Sequence, residues 1–477
     1  MGRKRGWRSA PAVAFCAIVL ALSGATPALA DGAPVGGDIQ VAQTLGDREL
    51  TVIIRRVDPI PGPVRVDIVT HTGSAPGVLK LRLTAGSSFS EASVTLGVTP
   101  GFFGATLRAD QPGPWELAID DGQQVARIPF VLAARVVSPW ERATYGGFVA
   151  AGLLLLVALL VAVRSRRNWV ALIPAAGVVA AVAVAVTAAL LSANTPAPPA
   201  PGSQLDPTLD NVTDAYSNLQ LSTVDFSRPP VNLTVSAPGA RSGQPADVRL
   251  TLTDGSTGRP VDDLLVHDNA LIHLVVVSPS GRLWHLHPIR AGAGDYRVRL
   301  TPPESGTYTL SAELSRRGGG VQLVRSNLVV AKGTSDVPAP TPAGLGERDV
   351  DGKPVDVTMT TADAGSPSTI TAQFPTADLQ PWLGMLGHML VVGPVREPGT
   401  DQFATAPIWT HVHAMAPATP GMPDRPDESV AAYGPDVPFT YTFPLPGRYR
   451  VWLQAERGYS VLTIPAIVDI PAVGGTP

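Results

Sequence analysis

Gly447-Arg448-Tyr449-Arg450-Val451 repeats a step already met as Gly306-Thr307-Tyr308-Thr309-Leu310 and, earlier, as Gly113-Pro114-Trp115-Glu116-Leu117. A shared Gly-x-aromatic-x-aliphatic step points to three β-sandwiches of related design, and internal repetition of this kind organises the whole reading. Around the first copy of the step, residues 50–54, 64–69, 79–83, 91–96, 103–108, 115–119 and 124–132 read as short strands. Turn signals every eight to twelve residues or so make residues 31–139 an expected immunoglobulin-like sandwich. The 48 prolines and 47 glycines of the 477-residue chain, set between short Val/Leu/Thr runs, fit an all-β fold punctuated by turns.

Residues 203–332 and 346–472 read as two copies of one unit, joined by a Pro-rich linker over 333–345. Residues 231–235 answer to 355–359 as a first strand, and Asp263-Leu264 before His273 answers to Asp378-Leu379 before His388. Both histidines open an apolar strand. Trp284-His285-Leu286-His287-Pro288 is then matched by Thr410-His411-Val412-His413-Ala414. Of the 8 histidines, all but His71 fall in these copies, and His273, His285, His287, His388, His411 and His413 occupy matched positions.

On a strand, residues i and i+2 share a face, so each His-x-His presents two imidazoles side by side with Cβ atoms about 7 Å apart. A third histidine from the neighbouring strand completes a three-nitrogen set. His273 is thus expected to converge with His285 and His287 in one copy, and His388 with His411 and His413 in the other. Such a set suits copper or zinc. Met385, Met389 and Met415 lie close by in sequence, and soft thioethers shift the preference towards Cu(I). A competing reading turns Leu286 and Val412 to the core, leaves the histidines as a solvated outer row and makes the methionines core filler. His267 stands opposite Trp382 in the second copy and is set aside. His71, alone in the first part, predicts no metal site there.

Residues 145–163 and 169–193 are uninterrupted apolar runs around the basic turn Arg164-Ser165-Arg166-Arg167-Asn168. Each is long enough to cross about 30 Å of hydrocarbon as a helix. A transmembrane hairpin over 144–193 follows, its arginine turn cytoplasmic and both soluble parts extracytoplasmic. Trp140, Tyr145 and Trp169 sit at the expected interfaces. Small residues at four-residue spacing, Gly147 with Ala151 and Gly177 with Ala181, let the two helices approach closely. Arg3, Lys4, Arg5 and Arg8 before an apolar segment, followed by Ala28-Leu29-Ala30, read as a signal peptide over 1–30. Cys16 would leave with it, which removes disulfides, thiolate metal sites and cysteine nucleophiles from the mature chain. Residues 194–202 form a Pro-rich spacer. A net charge of −3 carries no nucleic-acid footprint.

Pro112-Gly113-Pro114-Trp115-Glu116-Leu117, leading into a strand, resembles the YtkA-like and FixH-like extracytoplasmic domains. The run from His388 to Val392, the pair His411 and His413, and the run from Phe443 to Trp452 look like secreted bacterial domains of the same general kind. The resemblance implies an immunoglobulin-like fold and a link to copper or heavy-metal handling, with no assigned reaction. The chain departs from the usual single small domain in having three, and the first lacks the histidines.

The expected protein is all-β, with three immunoglobulin-like sandwiches and a two-helix membrane hairpin in a bacterial cytoplasmic membrane. It binds copper, or zinc as second choice, through its His/Met clusters, and its partners are the membrane, a metal ion and an envelope protein. The alternative is a metal-free envelope interaction scaffold of adhesion-like sandwiches. No enzyme is expected: Gly-x-Ser-x-Gly, His-Glu-x-x-His and phosphate loops are missing, and Glu313 of one copy is Gln454 in the other. A blue-copper carrier is excluded because it needs a thiolate.

Overall fold

A computed structural model of the chain describes residues 38–55, 60–132, 137–194, 229–340, 342–360, 363–395, 402–415 and 428–472. The expected signal peptide and residues 195–202 of the spacer lie outside them. Before the helices run β1 (Ile39–Leu45), β2 (Arg48–Ile54), β3 (Gly62–Thr70), β4 (Gly77–Ala85), β5 (Ser88–Leu96), β6 (Gly101–Ala109), β7 (Gly113–Asp120) and β8 (Val125–Leu132). Helices α1 (Pro139–Arg164) and α2 (Leu172–Ala193) follow. Next come β9 (Val231–Ser236), β10 (Ala246–Asp254), β11 (Leu264–Leu265), β12 (His273–Val277), β13 (Leu283–Leu286), β14 (Ile289–Gly292), β15 (Asp295–Leu300), β16 (Gly306–Arg316) and β17 (Gly320–Val330). The last set is β18 (Gly346–Val350), β19 (Lys353–Met359), β20 (Pro367–Gln373), β21 (Gly387–Gly393), β22 (Ile408–Ala414), β23 (Asp436–Thr442), β24 (Gly447–Arg457) and β25 (Ser460–Ile470).

The strands form antiparallel sheets of repeated plan. The orders β1-β2-β3-β6 and β5-β4-β7-β8 recur strand for strand as β18-β19-β20-β23 and β22-β21-β24-β25. Between them, β9-β10-β15 and β13-β12-β16-β17 follow the same plan, with β14 added at one edge and the short β11 beside β16. Alternation explains most of these strands. In β4, Leu79, Leu81 and Leu83 point inward while Lys80 and Arg82 face out, and in β10 Val248, Leu250 and Leu252 do the same against Arg249.

The Gly-x-aromatic step opens β7, β16 and β24, and the structure supplies its physical reason. Gly113, Gly306 and Gly447 have φ of +119°, +125° and +131°, which a side chain disfavours. The buried aromatic two residues on ties down the chain before the strand. Tyr308 Oη donates to Glu304 O (2.8 Å), Tyr449 Oη to Leu445 O (2.8 Å) and Trp115 Nε1 to Gln111 O (3.0 Å). One corner is thus built three times, each closing onto a carbonyl four residues upstream.

β1 extends the expected set for the first part by one strand. Its Ile-Gln-Val-Ala-Gln-Thr-Leu sequence shows no clean alternation because both faces are covered, and its free edge is capped by later turns. Ala42 N–H donates to Asn269 O and Thr44 N–H to His287 O, each at 2.7 Å. β12 and β21 are likewise buried along their whole length, and their unbroken apolar runs report two covered faces.

The chain divides into two compact units, one holding the helices and the other the β-strands from both sides of them. Both helices are long and apolar enough to cross a membrane. Within their unit, Gly147 lies where a Cβ would meet the Cβ of Ala185 at 2.8 Å and the carbonyl of Ala181 at 3.0 Å. The small-residue spacing therefore does permit close approach.

Gly306→Ala and Gly447→Ala are expected to lower stability by about 1–3 kcal/mol each, from strain at positive φ plus contact with Pro279 and Pro394. Gly113→Ala, with open space at its Cβ, should cost less. Thermal denaturation of the full-length variants in detergent checks the order.

Candidate metal centre

Strand alternation builds the site. In β12, Leu274 and Val276 enter the core of their own sheets, while Val275 and Val277 turn outward on the face of His273. In β21, Met389 and Val391 turn inward, and Leu390 and Val392 share the outward face of His388. Register then sets Val275 opposite His285, His388 opposite His413 and Leu390 opposite His411. The outward faces of the two repeats meet, with Val275, Val277, Leu390, Val392, Trp409 and Trp452 in one apolar layer. Beside that layer the histidines gather.

Ring centroids in the first copy lie 5.4 Å apart for His273–His285, 5.2 Å for His273–His287 and 4.9 Å for His285–His287. In the second they are 5.1 Å for His388–His411, 5.2 Å for His388–His413 and 4.4 Å for His411–His413. The two triads also touch. His411 is 4.9 Å from His285 and 5.2 Å from His273, and His285 is 5.6 Å from His388. Each triad gathers within its copy as expected, and the two together make a single six-imidazole cluster between copies. Potential ligand atoms of His273, His285 and His411 lie within 4.8 Å of one another, as do those of His388, His411 and His413.

Outer groups orient the rings. His273 Nε2–H donates to the His267 carbonyl and His388 Nε2–H to the Trp382 carbonyl, both at 3.2 Å. His285 Nδ1–H donates across the repeat boundary to Gln454 Oε1 at 3.0 Å, and His287 Nδ1–H to Glu49 Oε1 at 2.6 Å. A neutral imidazole has one N–H, so in His273, His285 and His388 the second nitrogen is left as a lone pair. His273 Nδ1 then faces His285 Nε2 at 3.1 Å with no proton between them, and the buried His287 Nε2 has no hydrogen-bond partner. In the second copy, His388 Nδ1 lies 2.9 Å from His411 Nε2, and His411 Nδ1 and His413 Nε2 are buried without partners.

Neutrality is enforced by the surroundings. Burial, reinforced by neighbouring imidazoles, holds His273, His285 and His411 well below the usual imidazole range. Burial, with His413 next, pushes His388 down to about 3. Metal ligands need this state, because protonated imidazole offers no lone pair.

Two of the three expected methionines lie away from the cluster. Met389 lies in the core of the second repeat, on the opposite face of β21 from His388, as the residue after a histidine must on a strand. Met415 is 66% exposed beyond β22, and Met385 is buried at the end of the tight turn that begins at Trp382. The thioether argument for Cu(I) is corrected accordingly.

Sequence reasoning passed over several contributors. Trp382 packs its ring 4.8 Å from His388 and 5.3 Å from His285. His267 and Trp382 open equivalent turns, with paired hydrogen bonds His267–Ala270 and Trp382–Met385, and both offer their carbonyl to the histidine six residues on. Laying the two copies over each other could have found those matched turns. It could not have found Glu49, 238 residues from His287. His71, read as isolated, is buried between Thr51 and Glu456, with its Nδ1 2.6 Å from Glu456 Oε1. Burial opposes its charge, yet the bond to Glu456 prevails and raises its pKa. Nearby Glu428 is pushed up to about 7 by burial and by Glu456.

Comparison with known families matches residues 348–472 to a domain of unknown function (DUF8832). No curated protein matches the chain. Among solved structures, the tetra-tandem repeat from the extending region of a large adhesion protein is 12% identical, with 91% of this chain and 75% of that one covered and a TM-score of 0.17. The Escherichia coli adhesin FdeC is 10% identical, covering 87% and 93% at a TM-score of 0.15. A bacterial ice-binding adhesin is 6% identical, covering 92% and 99% at 0.17. Likeness at this level carries no function across.

A histidine whose folded pKa lies below its unfolded value of about 6.5 adds stability above that pH, and the contribution drains away as pH falls. For His388 the loss at pH 5 is about 2 kcal/mol. Glu428 works in the opposite direction over this range, but four strongly depressed histidines outweigh it. The melting temperature of chelator-treated protein is expected to drop between pH 6.5 and pH 5. A midpoint that is flat or rising over that interval would contradict buried, neutral imidazoles.

Proposed function

We propose that the chain is a membrane-anchored extracytoplasmic protein of three immunoglobulin-like sandwiches, and that it binds a transition metal in the histidine cluster between the last two. The observation that carries this reading is the orientation of His273, His285, His287 and His388. Each is turned by an outer acceptor so that its free nitrogen faces other imidazoles. Metal-ligating histidines are held in this way, by a carbonyl or carboxylate on the other nitrogen. A tetrahedral ion with bonds of about 2.0–2.1 Å sets its ligand atoms roughly 3.3–3.4 Å apart. The 3.1 Å gap between His273 Nδ1 and His285 Nε2 is close to that. With Met389 in the core and Met415 exposed, an imidazole set and the order of divalent affinities favour copper(II), while imidazole also suits zinc.

Topology is supported by the strands on either side of the hairpin. Glu49 and His71 precede it, and their buried partners His287 and Glu456 follow it, so both soluble parts belong on one face of the membrane. The arginine turn makes that face extracytoplasmic. A periplasmic-only reporter at the C-terminus is expected to be active, and silence there with activity from a cytoplasmic reporter would invert the topology.

A metal-free scaffold is the second reading, and one observation favours it. Turning the Gln454 amide over would let its nitrogen donate to His285 Nδ1, freeing His285 Nε2–H to donate to His273 Nδ1 and closing the network without an ion. The cluster would then only clasp the repeats together.

Full-length protein stripped with chelator and re-equilibrated with copper(II) is expected to retain copper in the cluster after gel filtration. Replacing both His285 and His411 with Gln should abolish retention with the β-sheet circular dichroism unchanged. Glu49→Gln should weaken affinity by about 10–100-fold through loss of orientation at His287. Equal copper content in the wild type and the double variant would favour the scaffold.

A further inference from the structure

We propose a second metal site, of mixed nitrogen and oxygen ligands and suited to zinc, formed by His267, Asp268 and Glu313 at the edge of the histidine cluster, where His411 and His413 of the other repeat face the two carboxylates. It goes beyond the all-nitrogen site, because His267, Asp268 and Glu313 take no part there.

Three side chains converge on one place, and two more from the other repeat face their carboxylates. His267 Nε2 lies 3.1 Å from Asp268 Oδ2 and 3.5 Å from Glu313 Oε1. His411 Nδ1 lies 3.9 Å from Glu313 Oε2, and His413 Nδ1 lies 3.7 Å from Asp268 Oδ2. The longer gaps are poor hydrogen bonds. Together the four distances bracket the separation of about 3.3–3.4 Å expected between ligands of a tetrahedral zinc ion. Ligand atoms of His267, Asp268 and Glu313 all fall within 4.8 Å of one another.

The independent sign of a missing partner is His411. Its side chain is 3% exposed, and its Nδ1 has no hydrogen-bond partner while pointing towards the Glu313 carboxylate. A cation in that place would give both the buried nitrogen and the carboxylate a partner. Two carboxylates supply the charge that the all-nitrogen cluster lacks, and oxygen beside imidazole is a common zinc ligand set.

Access and rigidity both suit an exchangeable ion. His267, Asp268 and Glu313 keep side-chain exposures of 29%, 26% and 14%. A crevice lined by His273, Ser311, Glu313, Thr410 and His411 runs alongside. Asp268 and Asn269, with φ of +47° and +63°, form the tip of a tight turn closed by His267 and Ala270. Paired with Glu313 through β12, His273 brings that strand beside the turn. At the equivalent positions the second copy has Trp382, Leu383 and Gln454, none of them a zinc ligand in practice, so the second copy has no matching site there.

The test is zinc stoichiometry by elemental analysis of detergent-purified full-length protein, stripped with chelator and re-equilibrated with zinc at about pH 7.5, where imidazoles are deprotonated. His267→Gln combined with Asp268→Asn is expected to lose one zinc per chain and keep the ion of the histidine cluster. Asn tolerates the left-handed backbone of position 268, so the turn survives. Glu313→Gln, which leaves the turn untouched, should lose the same ion. His285→Gln combined with His388→Gln should do the reverse, losing the cluster ion and keeping this one. Zinc content in both edge variants equal to wild type overturns the second site. A single zinc lost only in the cluster variant also overturns it and leaves the cluster reading standing, whereas a single zinc lost only in the edge variants supports it and removes the cluster reading.

Discussion

Burying an imidazole obliges the fold to deal with two nitrogens in different ways, and much of this structure follows from supplying an outer acceptor to four of six clustered rings. An unpaired polar group away from water costs several times what a good hydrogen bond returns. The partners are therefore brought from far along the chain. Glu49 comes from the strands before the helices, Gln454 crosses from the last repeat to the one before it, and the carbonyls of His267 and Trp382 come from matched turns. Each part of the β body contributes to the surroundings of the same rings. The parts are held in register by polar contacts of fixed geometry as well as by the apolar layer of Val275, Leu390 and Trp452.

The Gly-x-aromatic corner and the histidine faces divide the labour within each repeat. The corner fixes where β16 and β24 begin, with Tyr308 and Tyr449 buried in the interior of their own sheets. Fixing the start of those strands fixes which residues lie opposite β12 and β21. His273 thereby pairs with Glu313, and His388 with Gln454. A motif used for interior packing thus sets the polar chemistry of the opposite face.

Period-two patterning made the strands, the repeat and the His-x-His faces legible in the sequence, because each depends on neighbours within a few residues. The same rule, applied strictly, would have turned Met389 away from His388. What the sequence could not display was the second covered face. An outward row of histidines looks the same whether water or another repeat lies beyond it, and β12 and β1 lose their alternation because something covers both sides. Contacts such as His71 with Glu456, 385 residues apart, leave no local trace.

Glu313 and Gln454 occupy matched positions, yet one is an acid and the other an amide. Two identical repeat-one units meeting face to face would oppose acid to acid, and two repeat-two units would oppose amide to amide. A chain carrying both in tandem places one of each against the central rings. The result is an asymmetry that no homodimer of either half can have: Glu313 faces the rings from one repeat where Gln454 faces them from the other.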